Sequence, residues 1–180
     1  MGNNWTGGAV AARYKIVDNR AQVRAGGLLF WAASAFGADQ EVFVTLSRTD
    51  RWDGSQALLL KASGDAAGNV KAKIAATYDA QQKVVRVETL LPRPARSSVY
   101  SEIPIAFKQG DQFGARAYAN GVVEIYRNRR LAGAVTLNPI DRAFFAARGG
   151  YIGMWFGRRA DIALDDFGGG NASAYAAHRR

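Results

Sequence analysis

Hydrophobic and polar residues alternate through most of this chain with the two-residue period of strands that bury one face. In KVVRVETL, from Lys83 to Leu90, Val85, Val87 and Thr89 share one side while Val84, Arg86 and Glu88 share the other. The same pattern predicts strands at 14–17, 21–25, 28–32, 41–47, 57–62, 71–78, 83–90, 103–107, 113–118, 122–128, 130–137, 151–156 and 162–167. In YIGMWF, Ile152, Met154 and Phe156 oppose Tyr151, Gly153 and Trp155, so this strand is either buried on both sides or presents an aromatic surface to a ligand. The period breaks in NPIDRAFFAAR, where Asn138-Pro139 initiates a turn and Ile140, Phe144 and Phe145 fit one face of a short helix over a sheet end. No stretch suits the crossover helices of a parallel sheet, and the chain is expected to be an all-β antiparallel sandwich or barrel.

Turn residues sharpen this picture. Asn120-Gly121 between two strand-like runs predicts a type I′ hairpin with positive φ at both positions, which packs Phe113, Val123 and Ile125 into the core. Asp18-Asn19, Asp79-Ala80 and Asn128-Arg129 mark further reversals. Gly168-Gly169-Gly170 lacks the Lys-Ser/Thr of a phosphate loop and is read as a flexible exit from the last strand.

With 180 residues, 48% of them hydrophobic, the chain can bury one large core, and we expect a single domain over 1–170 followed by a basic tail at 171–180. Cysteine is absent and the one histidine is His178, so disulfides, thiolate metal sites and a multi-histidine zinc site are excluded. The glutamates, Glu41, Glu88, Glu102 and Glu124, form no alternating acidic run, and Asp165-Asp166 are adjacent, so on a strand they point to opposite faces. No catalytic residue is expected, and the chain is read as non-enzymatic. No apolar run approaches the ~20 residues of a membrane span. MGNNWTGGAV has no basic segment leading into an apolar one, so no signal peptide is expected there.

The net charge of +9, carried mostly by arginine, favours anionic partners such as an acidic polysaccharide. Dispersed arginines also keep a β-protein soluble and block edge pairing, which is the other reading of the same excess. Without a recognition helix or RNA module, specific nucleic-acid binding is not expected. Arg127, Arg129 and Arg130 cluster into a basic patch.

Sugar rings stack on exposed aromatics flanked by polar groups. Trp31, Trp52, Tyr100 and Trp155 are the candidate stackers, with Lys61, Arg116 and Glu41 as polar neighbours, and Trp52 in TDRWDGS is expected on an exposed rim. Asp39, Asp165 and Asp166 are candidate ligands of a structural calcium ion, or else cap turns and pair with arginines.

Taken in order, YKIVDNRAQV, FGADQEVFVTL, LLLKASG, GDQFGARAYANGVVEIYRNRRL, GGYIGMWF and LDDFGGG resemble the concanavalin A-like, laminin-G-like jelly-roll modules of large bacterial secreted proteins, over roughly Trp5 to Gly170. The resemblance implies the fold shared by legume lectins and glucanases, two curved antiparallel sheets stacked face to face. It also implies a non-catalytic, carbohydrate-binding or adhesive role in an extracellular or cell-surface setting. The family turn after Tyr126 usually reads Arg-Asn-Gly, whereas this chain has Arg127-Asn128-Arg129-Arg130, an added charge of its own. A different expectation is a structural or assembly protein, such as a virion, tail-fibre or surface-layer component, that uses the sandwich and these arginines for self-association or a protein partner.

Overall fold

The computed structural model describes residues 4–7, 14–23, 25–47, 55–64, 69–157 and 163–173. Within them the strands are β1 (Trp5–Thr6), β2 (Tyr14–Val17), β3 (Arg20–Val23), β4 (Gly27–Trp31), β5 (Gln40–Leu46), β6 (Ser55–Gly64), β7 (Val70–Asp79), β8 (Val84–Pro92), β9 (Ala95–Pro104), β10 (Gln112–Ala117), β11 (Val122–Arg127), β12 (Arg130–Thr136), β13 (Tyr151–Phe156) and β14 (Ala163–Asn171). One helix, α1 (Pro139–Phe145), lies between β12 and β13. The strands form two seven-stranded sheets, ordered β1-β4-β13-β6-β7-β8-β9 and β12-β11-β10-β5-β14-β3-β2. The pairings are antiparallel and mix short hairpins with long-range neighbours such as β5 with β14 and β4 with β13, which makes a jelly-roll sandwich. Among the described residues, no helix is long and apolar enough to cross a membrane.

Alternation places the core. Leu58, Leu60, Ile74, Val85, Val87, Ile152 and Met154 of the first sheet meet Val42, Val44, Phe113, Val123 and Ile125 of the second, all buried. Thr89 is buried with its expected partners Val85 and Val87. β13 is apolar on both sides because both are packed: Ile152, Met154 and Phe156 enter the main core, while Tyr151 and Trp155 pack against a smaller cluster of Phe30, Ala57, Leu59, Ala62 and Ala75.

Four local expectations change. The Asn120-Gly121 hairpin forms, but only Gly121 has positive φ, at 84°, and its N–H donates to Tyr118 O at 3.1 Å. This is a type I turn closed by a glycine bulge, which fits a three-residue loop. The type I′ turns are Asp18-Asn19, at φ 49° and 60°, and Asn128-Arg129, at 52° and 65°. Second, β9 begins at Ala95, well before the expected 103, because an edge strand bonded on one side tolerates the polar run ARSSVYSE. Third, Gly168, Gly169 and Gly170 are not a loose exit: they pair with Phe43, Val42 and Glu41, and a Cβ on Gly168 would lie 2.5 Å from the Phe43 ring. Fourth, α1 turns Phe145 and Asp141 inward and leaves Ile140 59% exposed. Asp141 accepts from Thr89 Oγ1 at 2.5 Å and Tyr100 OH at 2.6 Å, and Asn138 Nδ2 donates to the same Tyr100 oxygen at 2.8 Å. Tyr100 therefore anchors the helix through its hydroxyl.

Candidate functional site

β10 lies between β5 and β11, and the register of the three strands aligns their outward residues in rows. In one row Arg116 is paired with Glu41 on one side and Glu124 on the other. In the next, Gly114 is paired with Phe43 and Tyr126, and Gly168 of β14 lies beyond Phe43. Strands spaced ~4.8 Å apart put the two aromatic residues ~10 Å apart, with a glycine floor between them. A Cβ on Gly114 would lie 3.5 Å from Tyr126 Cβ and 3.7 Å from Phe43 Cβ, so the floor is open rather than sterically forced. The result is a groove of about 330 Å³ lined by Glu41, Phe43, Gln112, Gly114, Arg116 and Tyr126, with Arg129 on its rim.

The polar side chains are coupled. Arg116 Nε donates to Glu41 Oε2 at 3.0 Å, and its guanidinium carbon stands 4.8 Å from the centre of the Tyr126 ring. Tyr118 OH donates to Glu124 Oε2 at 2.9 Å, and Tyr126 OH donates to the same oxygen. Burial first, and then the bond to Glu124, push the Tyr126 phenol far above its ordinary range and the Tyr118 phenol above it as well. Burial works against the charge of Arg116, but its bond to Tyr118 and the fields of Tyr126 and Glu41 outweigh that and raise its pKa. The site therefore holds a fixed cation and two protonated phenols at neutral pH. Both carboxylates serve as acceptors in this network.

Of the described residues expected at a ligand site, Arg116 and its neighbour Glu41 lie here, together with Arg129 of the expected basic patch. Trp31 packs edge-on against Trp5 at 5.5 Å, and Trp5 against Phe167 at 4.8 Å, all three half-buried against the main core. Trp155 is on the outer side of the other sheet. Lys61 is 2% exposed, and its Nζ donates to Tyr118 O at 3.1 Å and Phe145 O at 3.0 Å. Burial lowers its pKa to about 8, against the opposing field of Asp39. Trp52 lies outside the described residues.

The basic patch divides. Arg127 Nε donates to Asp111 Oδ2 at 2.8 Å, whereas Arg129 and Arg130 are exposed at the turn. Nor are the three aspartates brought together. Asp39 Oδ1 accepts from Ala119 N at 2.7 Å beside the start of β5, while Asp165 is paired with Thr45 near that strand's other end. Asp165 lies 3.7 Å from Arg20, and Asp166 accepts from Thr45 Oγ1 at 3.3 Å. A bulge with φ 47° at Asp166 lets both carboxylates serve groups on one face, which corrects the opposite-face expectation. Among the described residues no group of three His, Cys, Asp or Glu could hold a metal ion.

Phe43, Gln112, Gly114, Glu124 and Tyr126 were not anticipated. Their signal was present in the outward phase of QEVFVTL, QFGARA and VVEIYR, each of which places aromatic or polar residues between core positions.

No protein-family model matches the sequence, and no curated protein matches it. Solved structures do. The carbohydrate-binding module CBM66 from Bacillus subtilis superposes with a TM-score of 0.60 at 18% identity, covering 95% of this chain and 99% of that one. The fold is a concanavalin A-like jelly roll. A legume lectin-like domain from Entamoeba histolytica shares this jelly roll with a TM-score of 0.57 at 13% identity, over 94% and 91% of the two chains. So does β-agarase A in complex with oligoagarose, with a TM-score of 0.59 at 12% identity over 93% and 79%. The jelly roll thus occurs in both binding proteins and an enzyme, so the fold by itself does not assign a function.

Proposed function

We propose that the protein is a non-catalytic carbohydrate-binding module whose ligand lies across Gly114. The observation that carries this reading is the glycine-floored slot between Phe43 and Tyr126, closed on one side by the Glu41–Arg116 pair. The apolar face of a sugar ring stacks on the aromatic walls, and its hydroxyls meet Arg116, Glu41 and Gln112. The solved structures named as a carbohydrate-binding module and a lectin-like domain support it by sharing the fold. Non-catalysis is supported by the carboxylates. Both groove carboxylates are held by protein donors, Glu41 by Arg116 and Glu124 by two phenols, rather than facing each other across a scissile bond. An extracellular or cell-surface, adhesive setting goes with this reading.

The test is a glycan array followed by calorimetry on wild type, Gly114→Val and Trp155→Ala. Gly114→Val fills the slot and is expected to weaken binding at least about tenfold, or ~1.4 kcal/mol, with little change in the thermal melt. Trp155→Ala, on the other sheet, is expected to bind as wild type does. A Gly114→Val protein that binds a glycan normally would remove the groove from consideration.

A further inference from the structure

We infer that the groove selects uncharged glycans and excludes uronate-bearing ones, despite the protein's net charge of +9. The inference rests on the glycan-binding reading and follows from where the charges lie. In the row across β5, β10 and β11, one cation, Arg116, stands between two carboxylates, Glu41 and Glu124. Its guanidinium is already engaged by Glu41 at 3.0 Å and lies against the Tyr126 ring. A ligand carboxylate seeking the bidentate contact that arginine favours would have to displace Glu41 or share the cation with it. Two carboxylates on one half-buried guanidinium repel each other strongly, because little water screens them.

A neutral sugar meets no such conflict. A hydroxyl both donates and accepts. Adjacent hydroxyls can therefore accept from Arg116, which has five donors, and donate to Glu41 beside it. Gln112, with an amide that offers both functions, extends the same match along β10. The other cation at the groove, Arg129, is exposed at its rim beside Arg130 on the hairpin turn, where attraction to polyanions is diffuse and screened by salt.

The experiment uses the full chain and two sets of oligosaccharides, neutral galactan and glucan fragments against alginate fragments. Binding is measured at low and physiological salt in wild type, Gly114→Val, Glu41→Gln and the double variant Arg129→Ala/Arg130→Ala. We expect a neutral oligosaccharide to bind at physiological salt and to lose at least about tenfold in affinity in Gly114→Val. Alginate fragments should bind only at low salt and depend on Arg129 and Arg130. Glu41→Gln should narrow the preference, because it frees Arg116 for a ligand carboxylate while keeping the shape of the side chain. Salt-resistant alginate binding that Gly114→Val abolishes would overturn the selectivity and leave the glycan-binding reading standing. Binding of neither class, with Gly114→Val melting as wild type does, would remove that reading and this inference together.

Discussion

Lys61 shows how far a single residue can depart from its sequence context. LLLKASG places a lysine in a strand, where alternation turns it away from Leu60 and toward solvent or a ligand. A bulge between Leu60 and Ser63 and a φ of 48° at Lys61 turn it inward instead, where two backbone carbonyls take its ammonium. Neither the bulge nor the partners, 57 and 84 residues away, leave a mark on the local pattern. A pH dependence follows. The amine titrates near 8 in the folded protein against an ordinary value of 10.5. Between those values the unfolded chain holds the extra proton, so stability rises with pH across that window. Urea melts of wild type and Lys61→Met should show wild type gaining on the variant from pH 8 upward, and the comparison cancels the tyrosines. Parallel pH profiles would mean that the amine keeps its ordinary pKa when folded.

At the scale of elements, the strands were largely legible and their ends were not. Twelve of the thirteen expected segments coincide with observed strands to within a few residues, since the two-residue period is local. The other, 103–107, caught only the end of β9, because an edge strand with mostly exposed side chains carries little hydrophobic signal. α1 was legible through Asn138-Pro139, but its buried face was not, because an aspartate there is unusual without partners from other strands. Asn138 Oδ1 accepts from the N–H groups of Ile140 and Asp141, both at 3.0 Å. Replacing it with alanine removes this cap and the bond to Tyr100, and is expected to cost ~1–2 kcal/mol in chemical denaturation. Glycan affinity should not change, since the groove lies on β5, β10 and β11.

For the whole molecule, β9 and β12 are, among the described residues, the edge strands on one side of the sandwich, where Gly133 packs against Ile103. They leave Val99 65% and Leu131 54% exposed. Arg96, Glu102 and Pro104 in β9 and Arg130 in β12 blunt these edges against strand pairing. Light scattering across concentration and salt is therefore expected to show a monomer. A concentration-dependent dimer that Val99→Lys or Leu131→Lys abolishes would instead favour the assembly reading. Alternation by itself determined that the chain is all-β and which face of each regular strand enters the core, since each is a property of neighbours in sequence. Only the tertiary structure decided the site. Glu41 and Arg116 are 75 residues apart, and they form a row with Glu124 because β5 and β11 both pair with β10 in one register. Register is set by burial of the opposite face of all three strands together, and a shift of one residue would have turned every groove side chain into the core.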